Sequence, residues 1–380
     1  MKKILFFFLV LISCQNRPVS KDKTDNKIFI DLEKAAVYEM NNLFSNVQIN
    51  PIETSDSSLI GNISKLIINK NRLYVFDKRQ KAILTFNMNG KFINKFCRVG
   101  SGPGEYLNIE DCTINSFNNT IMIINGYSLS SYNLNGKFIK KTKITDDNIK
   151  AIHQIEAIND STIAILALFE NQGALLYSTN TEKIIKKQEI IPKWTRSKIP
   201  FNISNRLYRN NNIVIYREGF SNKVYTVNEQ GYNLRYEWDF GKYNFNYNEP
   251  PLLEVFKKAS STREIKSNRE YYFNKYAIQF QHNVENKDYI ITCFMHKNKP
   301  TTLIYNKISD IYKVIKGDIS KLMMFSQIDL IDSNKIIVVA NPTLINMISE
   351  KCFSEKNKEI VKNISISDNP VIIRLLINDL

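Results

Sequence analysis

Through most of the chain, apolar and polar positions alternate in short runs bounded by turn residues, without the three-to-four spacing of a helix. Residues 63–96 show the unit. Ile63 to Ile68, Leu73-Tyr74-Val75-Phe76, Ile83-Leu84-Thr85-Phe86 and Phe92-Ile93-Asn94-Lys95-Phe96 each have the length and the β-branched or aromatic content of a strand. Asn69-Lys70-Asn71 separates the first two. Asn89-Gly90 separates the last two, and both of its residues tolerate positive φ, the requirement of a tight hairpin. The pattern predicts four antiparallel strands.

That unit repeats. Asn87-Met88-Asn89-Gly90-Lys91-Phe92-Ile93 recurs 46 residues later as Asn133-Leu134-Asn135-Gly136-Lys137-Phe138-Ile139. A degenerate copy, Ser178 to Ile185, lies another 46 residues on. The next equivalents are Tyr232 and Ile311, and the last step of 79 implies an insertion of about 33 residues. Five units thus occupy residues 60 to about 316. A sixth has only three strands, Gln327–Leu330, Lys335–Ala340 and Pro370–Ile377. Asn46 to Ile52 can supply the fourth and so close a ring without a free edge. The expected fold is all-β, a six-bladed β-propeller with an N-terminal strand closing the last blade. A β-sandwich or two smaller β domains are the alternatives.

Two small helical insertions interrupt the strands, at about 242–275 and 343–362. In the first, Asn248-Glu249-Pro250-Pro251 can start a helix that carries Leu252, Val255, Phe256 and Ala259 on one face. In the second, Leu344, Met347, Ile348 and Cys352 fit one helical face. Both insertions are expected at the channel mouth, as a lid, a partner surface or a plug.

The N-terminus reads differently. Met1-Lys2-Lys3 precedes an apolar run from Ile4 to Ile12, too short to span a bilayer and typical of an export signal. Leu11-Ile12-Ser13-Cys14 resembles the bacterial lipobox, which implies lipidation of Cys14. The domain reading is therefore a signal peptide at 1–13, a lipidated tether at 14–40 and the propeller at 41–380. Gln15 is not the Asp that retains many lipoproteins at the inner membrane. Gln15-Asn16-Arg17-Pro18 also lacks the acidic residues of surface-export signals. A lipid-anchored outer-membrane location facing the periplasm is expected.

The formal charge of +15 would suit a nucleic-acid partner, but the basic residues are scattered and an exported chain meets little nucleic acid. Apart from Cys14, the cysteines Cys97, Cys112, Cys293 and Cys352 form no CxxC motif and read as free thiols.

Gly100-Ser101-Gly102-Pro103-Gly104-Glu105-Tyr106 resembles the GxGPGEY signature of six-bladed propeller lipoproteins of Bacteroidetes, which are similar in fold to NHL and TolB-like propellers. Ile49 to Thr54 resembles that family's opening strand, and Asp368-Asn369-Pro370-Val371 its closing strand. The resemblance implies a fold and no particular function. Gly100, Gly102, Pro103, Gly104, Glu105 and Tyr106 read best as a set of backbone-geometry residues, with Glu105 bonding nearby backbone.

Loops between blades, and between second and third strands, share one face of a propeller. They bring Arg79, Arg98, Tyr127, Arg217, Glu218 and His296 forward as candidate channel-rim binding residues. Neighbouring rim loops are Glu170-Asn171-Gln172 and His296-Lys297-Asn298. The mix suits a polar ligand such as a glycan or peptide, or an envelope protein. No P-loop or GxSxG motif is present, and only His153, His282 and His296 could serve a zinc site. No cofactor is expected, with a divalent cation in the channel left open. The leading reading is a non-enzymatic envelope lipoprotein. A propeller lyase or hydrolase, or a structural subunit of an envelope complex, is the alternative.

Overall fold

The computed structural model describes residues 26–168, 173–189, 207–210, 213–217, 221–245, 271–330, 332–345 and 347–379. Six antiparallel sheets form the blades of a ring. Blade 1 is β4 (Lys65–Asn69), β5 (Arg72–Asp77), β6 (Ala82–Asn87) and β7 (Phe92–Phe96), from the axis outward. Blade 2 is β8 (Asp111–Asn115), β9 (Thr120–Asn125), β10 (Ser128–Asn133) and β11 (Phe138–Lys143). Blade 3 is β12 (Ala151–Ala157), β13 (Thr162–Leu168), β14 (Gly173–Ser178) and β15 (Lys183–Glu189). Blade 4 is β16 (Leu207–Asn210), β17 (Ile213–Arg217), β18 (Lys223–Asn228) and β19 (Gly231–Asp239). Blade 5 is β20 (Ile278–Glu285), β21 (Tyr289–His296), β22 (Lys299–Asn306) and β23 (Ile311–Lys316). Blade 6 takes β24 (Gln327–Leu330), β25 (Lys335–Ala340) and β26 (Val371–Ile377) from the C-terminal part, and its outermost strand, β3 (Phe44–Pro51), from the N-terminal part.

Each blade is buried on both faces, and in β5 every residue except Arg72 is buried. In β5, Leu73 and Val75 pack into the core shared with blade 6, while Tyr74 and Phe76 pack into the core shared with blade 2. Six such cores exist, one per blade interface. The hairpin glycines serve the same packing. Gly90, in the outer turn of blade 1, has φ +83°, and a Cβ there would lie 2.4 Å from the Pro51 carbonyl oxygen of the closing strand. Gly136 repeats the arrangement against the Phe96 ring.

The ring closes where β3 pairs antiparallel with β26, Val371 opposite Pro51 and Ile373 opposite Ile49. Asn369 latches the seam. Its Nδ2 donates to the Glu53 and Ser58 carbonyls at 2.7 and 2.9 Å, and its Oδ1 accepts from Ile60 N at 2.8 Å. The expected fold, with its N-terminal closing strand, is thus present.

Three expectations change. The N-terminal segment joins the fold well before residue 40. A strand β1 (Lys27–Phe29) adds in parallel to β19, and β2 (Ala36–Val37) adds in parallel to β23. Between them Ile30 and Leu32 bury in the aromatic core of blades 4 and 5 beside Trp238. This belt was hidden because the segment is short and mostly polar. Second, the insertion at 343–362 is not one helix. Pro342–Ile345, a turn at Glu350–Cys352 and Glu355–Lys362 are separate, because Ser354 caps a new helix by accepting from Asn357 N. The last helix packs on β3, where Asn357 Nδ2 donates to Val47 O at 2.6 Å, and so lies at the outer edge of blade 6. Third, an unforeseen helix, Asp318–Phe325, bridges blades 5 and 6 and buries Ile319, Leu322 and Met323. The insertion helix expected near 252–259 lies outside the described residues, as do Cys14 and the signal segment. Cys97, Cys112 and Cys293 are free thiols, with Cys97 exposed.

Asn369→Ala removes the latch and should lower the unfolding free energy by about 2–4 kcal/mol. Gly90→Ala should cost about 2 kcal/mol or more, from left-handed strain plus the clash with Pro51. Gly126→Ala is the control: φ is +60° but no atom lies within 4 Å of the added methyl, so about 1 kcal/mol is expected. Denaturant unfolding of the three variants checks the order.

Candidate functional site

The innermost strands of all six blades, β4, β8, β12, β16, β20 and β24, surround the axis. They leave a cavity of about 390 Å³, lined by Lys65, Glu156, Arg209, His282, Asp329 and amide side chains such as Asn210. Asn69, Lys70 and Asn71, the first turn of blade 1, also line it. The cavity therefore runs toward the face opposite the blade-to-blade loops.

One wall is a closed charge network. Lys65 Nζ lies 3.1 Å from Asp111 Oδ2 and 3.5 Å from Glu156 Oε2, and donates to the Cys112 and Ile155 carbonyls at 2.9 and 3.1 Å. Glu156 Oε1 also accepts from Thr113 Oγ1 at 2.6 Å and from Arg209 Nε at 3.2 Å. One residue from each of blades 1 to 4 is thereby tied across the axis. Burial alone would pull the Lys65 ammonium down, but the Asp111 and Glu156 carboxylates hold it above its ordinary value. Burial likewise works to raise Glu156, and Lys65 and Arg209 overcome it to hold the carboxyl low. Asp111 differs: burial raises its carboxyl, and Lys65 and the Ile155 N–H work against that rise. Each of the three buried groups nonetheless has a partner.

The opposite wall differs. Asp329, on β24, accepts a hydrogen bond from Leu330 N at 2.8 Å, and among the described residues no cation pairs with it. Burial pushes its carboxyl up to about 7. On β20, His282 Nε2 lies 3.2 Å from the Met324 carbonyl, which requires the proton on that nitrogen, and burial takes the ring down to about 4. His282 is therefore neutral at neutral pH. The cavity thus presents a partnered polar network around Lys65, a neutral imidazole and one carboxyl poised near neutrality.

The residues expected at the rim do not meet. Arg79 is exposed at the second-to-third turn of blade 1. Arg98 is exposed beyond β7, its Nε donating to Gly136 O at 3.0 Å. Tyr127 stands on the blade 2 turn and donates from its hydroxyl to Lys150 O at 2.8 Å. Arg217 and His296 are corrections, since both are buried. Arg217 lies between blades 4 and 5. Its guanidinium sits 3.5 Å over the Phe280 ring, with Nη1 donating to Asn283 Oδ1 and Thr292 Oγ1. Burial depresses its pKa. His296 packs edge-on against Tyr243, and burial takes it down to about 4. Each falls at a strand end, and the strand carried the side chain into a blade interface. Glu218 and Glu170 to Gln172 lie outside the described residues.

The loop from Gly100 to Tyr106 is held by its own backbone and side-chain contacts. Glu105 Oε2 accepts from Gly102 N at 2.8 Å, and a Cβ on Gly100 would lie 2.1 Å from that same oxygen. Gly104 has φ +73° and lies against Phe138. Tyr106 is buried; its hydroxyl accepts from Arg98 N and donates to Lys81 O, each at 3.0 Å. The loop fixes blade 1 to blade 2. Among the described residues no three His, Cys, Asp or Glu side chains group to hold a metal ion. No helix among them is long and apolar enough to cross a membrane.

Sequence reasoning searched loops and so missed Lys65, Asp111, Glu156, Arg209 and Asp329. A signal existed: Asp111 follows Lys65 by 46 residues and Glu156 follows Asp111 by 45, close to the repeat period. Charged residues at one repeat position of an apolar innermost strand mark a shared axis.

The sequence matches a family model described as a domain of unknown function, DUF4934, over residues 27–375. No curated protein matches it. Among solved structures, a Bacteroides fragilis protein described as exported is similar with a TM-score of 0.70 and 16% identity, covering 93% of this chain and 100% of that one. A member of the DUF4221 family from Bacteroides vulgatus is similar with a TM-score of 0.52 and 9% identity, covering 89% and 98%. At such identities the likeness concerns the fold.

Lys65→Met leaves Asp111 and Glu156 buried without their shared cation and should destabilise by about 3–5 kcal/mol in denaturant unfolding at pH 7. Asp329 gives a pH signature. Its folded-state pKa is raised, so the folded protein holds a proton that the unfolded chain releases. Stability is then lost as pH rises from near 4 to about 7 and is flat above. Asp329→Asn should melt higher than the parent at pH 8, with the gap closing by pH 4.

Proposed function

The chain belongs to the DUF4934 family, a domain of unknown function, and we propose that it is a lipid-anchored envelope protein whose channel binds a small polar ligand. A glycan fragment or peptide end is the ligand class that fits. The observation carrying the reading is the cavity itself. About 390 Å³ is room for a few sugar units or residues, and its wall offers hydroxyl- and amide-matching groups, Asn210, Gln327, Lys70 and Asp329 among them. Wall charges already satisfied by one another need no reorganisation when a neutral polar ligand enters. The likeness to an exported Bacteroides protein and the lipobox-like Leu11 to Cys14 support the envelope location, on the outer membrane facing the periplasm. A rigid disc on a lipidated N-terminus suits capture of a solute near the membrane.

A second reading, a hydrolase or lyase, is favoured by one observation. A carboxyl at about 7 can both give and take a proton at neutral pH. Glu156 and His282 are less available for that work, being held by Lys65 and Arg209 and by the Met324 carbonyl. Asp329 would act through substrate or water.

Two measurements test the proposal. In a thermal-shift screen of mono- and oligosaccharides and dipeptides, a compound that raises the melting temperature of the full chain should lose its effect on Asp329→Asn. Hits indifferent to both Asp329→Asn and Lys70→Ala would place binding elsewhere. In cells, an alkyne-palmitate label should appear on the chain and vanish with Cys14→Ala; a label that persists rules out Cys14 as the anchor.

A further inference from the structure

The outermost strands of blades 1, 2 and 3 carry the same outward pair at the same repeat position. Ile93 and Lys95 on β7, Ile139 and Lys141 on β11, and Ile185 and Lys187 on β15 are each 46 residues apart. All six are exposed, the isoleucines by 41%, 52% and 51%. An isoleucine held half in water three times over is not explained by core packing.

The charge on the strands that carry these pairs is mostly positive, with Glu189 at the end of the third. Segments 91–98, 137–143 and 183–187 hold ten Lys or Arg and no Asp or Glu. The segments are joined edge to edge. Arg98 reaches Gly136 O from blade 1 to blade 2, and Lys140 reaches Thr179 O from blade 2 to blade 3 at 2.7 Å. Lys140 also approaches Glu182, and Lys187 pairs with Asp146. Lys137, Lys141, Lys143 and Lys183 have no carboxylate partner among the described residues.

The other half of the perimeter is a contrast. There the belt adds β1 and β2 to blades 4 and 5, and β3 ends blade 6. Blade 4 has buried Tyr236 two residues after Leu234 in place of an exposed lysine. Blade 5 keeps Ile311 and Lys313, but Lys313 lies over the belt's Tyr38 ring. The exposed pair persists only where the belt does not run.

We propose that the perimeter of blades 1 to 3 docks the disc on an anionic lipid bilayer, with the blade 2 lysines against headgroup phosphates, Ile139 dipping into the interface and the lysines of blades 1 and 3 adding attraction. Each half of the pair answers one part of such a surface, and neither needs a register. A soluble polyanion would match the lysines and leave the isoleucines unused. The belt's first strand, Lys27–Phe29, lies on blade 4, next to blade 3 and this arc. Geometry ranks the blades. With four strands at about 4.8 Å spacing, the outer strands stand roughly 20 Å from the axis. When blade 2 touches a plane, the centres of blades 1 and 3 sit about 10 Å above it, near one Debye length. Blade 2 makes contact, and its neighbours contribute by attraction alone.

The test is co-sedimentation of the full-length chain carrying Cys14→Ala, which cannot take the lipid at that position, with vesicles, and it is independent of any channel ligand. Binding to phosphatidylglycerol mixed with phosphatidylcholine should exceed binding to phosphatidylcholine alone and fall with salt. Lys141→Gln with Lys143→Gln should weaken the anionic binding about thirtyfold. Lys95→Gln with Lys187→Gln should weaken it less, and Ile139→Ser should weaken it at unchanged charge. Lys351→Gln with Lys362→Gln, exposed on the blade 6 insertion, should change nothing. Melting curves confirm that each variant is folded. Equal binding to neutral vesicles overturns the proposal, as does parental binding by the blade 2 lysine pair. Binding that dextran sulfate matches and Ile139→Ser leaves intact overturns it in favour of a soluble polyanion.

Discussion

Everything in this molecule depends on closing a ring of sheets that are buried on both faces. A blade with two apolar faces cannot stop at an end, because the last face would meet water. The chain resolves this by carrying β3 across to β26 and locking the seam with Asn369, whose side chain is satisfied by three backbone groups. The same requirement explains the hairpin glycines. Outer turns must sit directly against the neighbouring blade, and Gly90 and Gly136 leave no room there for a methyl group. It also explains the loop from Gly100 to Tyr106, whose glycines and Glu105 make a tight fold between blades 1 and 2.

Closure creates the axis, and the axis concentrates polar groups. Inner strands point toward one another across a narrow space where apolar side chains alone would leave it unfilled or over-packed. Charges placed there are stable only in compensated sets. Lys65, Asp111, Glu156 and Arg209 form such a set across four blades, and each loses its rationale without the others. Asp329 stands outside the set, and its pKa records the cost of being alone. The unequal halves of the channel are what make it a candidate site and not merely a filled core.

The ring is also unequal on its outside. The N-terminal segment binds blades 4, 5 and 6 in turn, adding parallel strands to two of them before completing the third. Parallel addition covers edges that would otherwise be free. Blades 1 to 3 keep their edges and protect them with lysines, the usual device against edge-to-edge pairing, so one feature can serve solubility and docking together.

The sequence by itself determined the blade count, the strand order and the closing strand. Each rests on local chemistry that repeats: Asn-Gly turns at a period of 46, and apolar runs of strand length. It also marked Gly100 to Tyr106 as a geometric loop. Only the tertiary structure decided where chemistry gathers. Arg217 and His296 looked like rim residues and are buried between blades, because the direction of a side chain at a strand end depends on twist and on the neighbouring sheet. Lys65 and Asp329 looked like ordinary strand residues and face one cavity from blades 1 and 6. The belt was unreadable for a similar reason, since Ile30 and Leu32 are apolar only in company with Trp238, more than two hundred residues away in the chain. Period and turn type are written in neighbouring residues; convergence on an axis is a property of the closed ring.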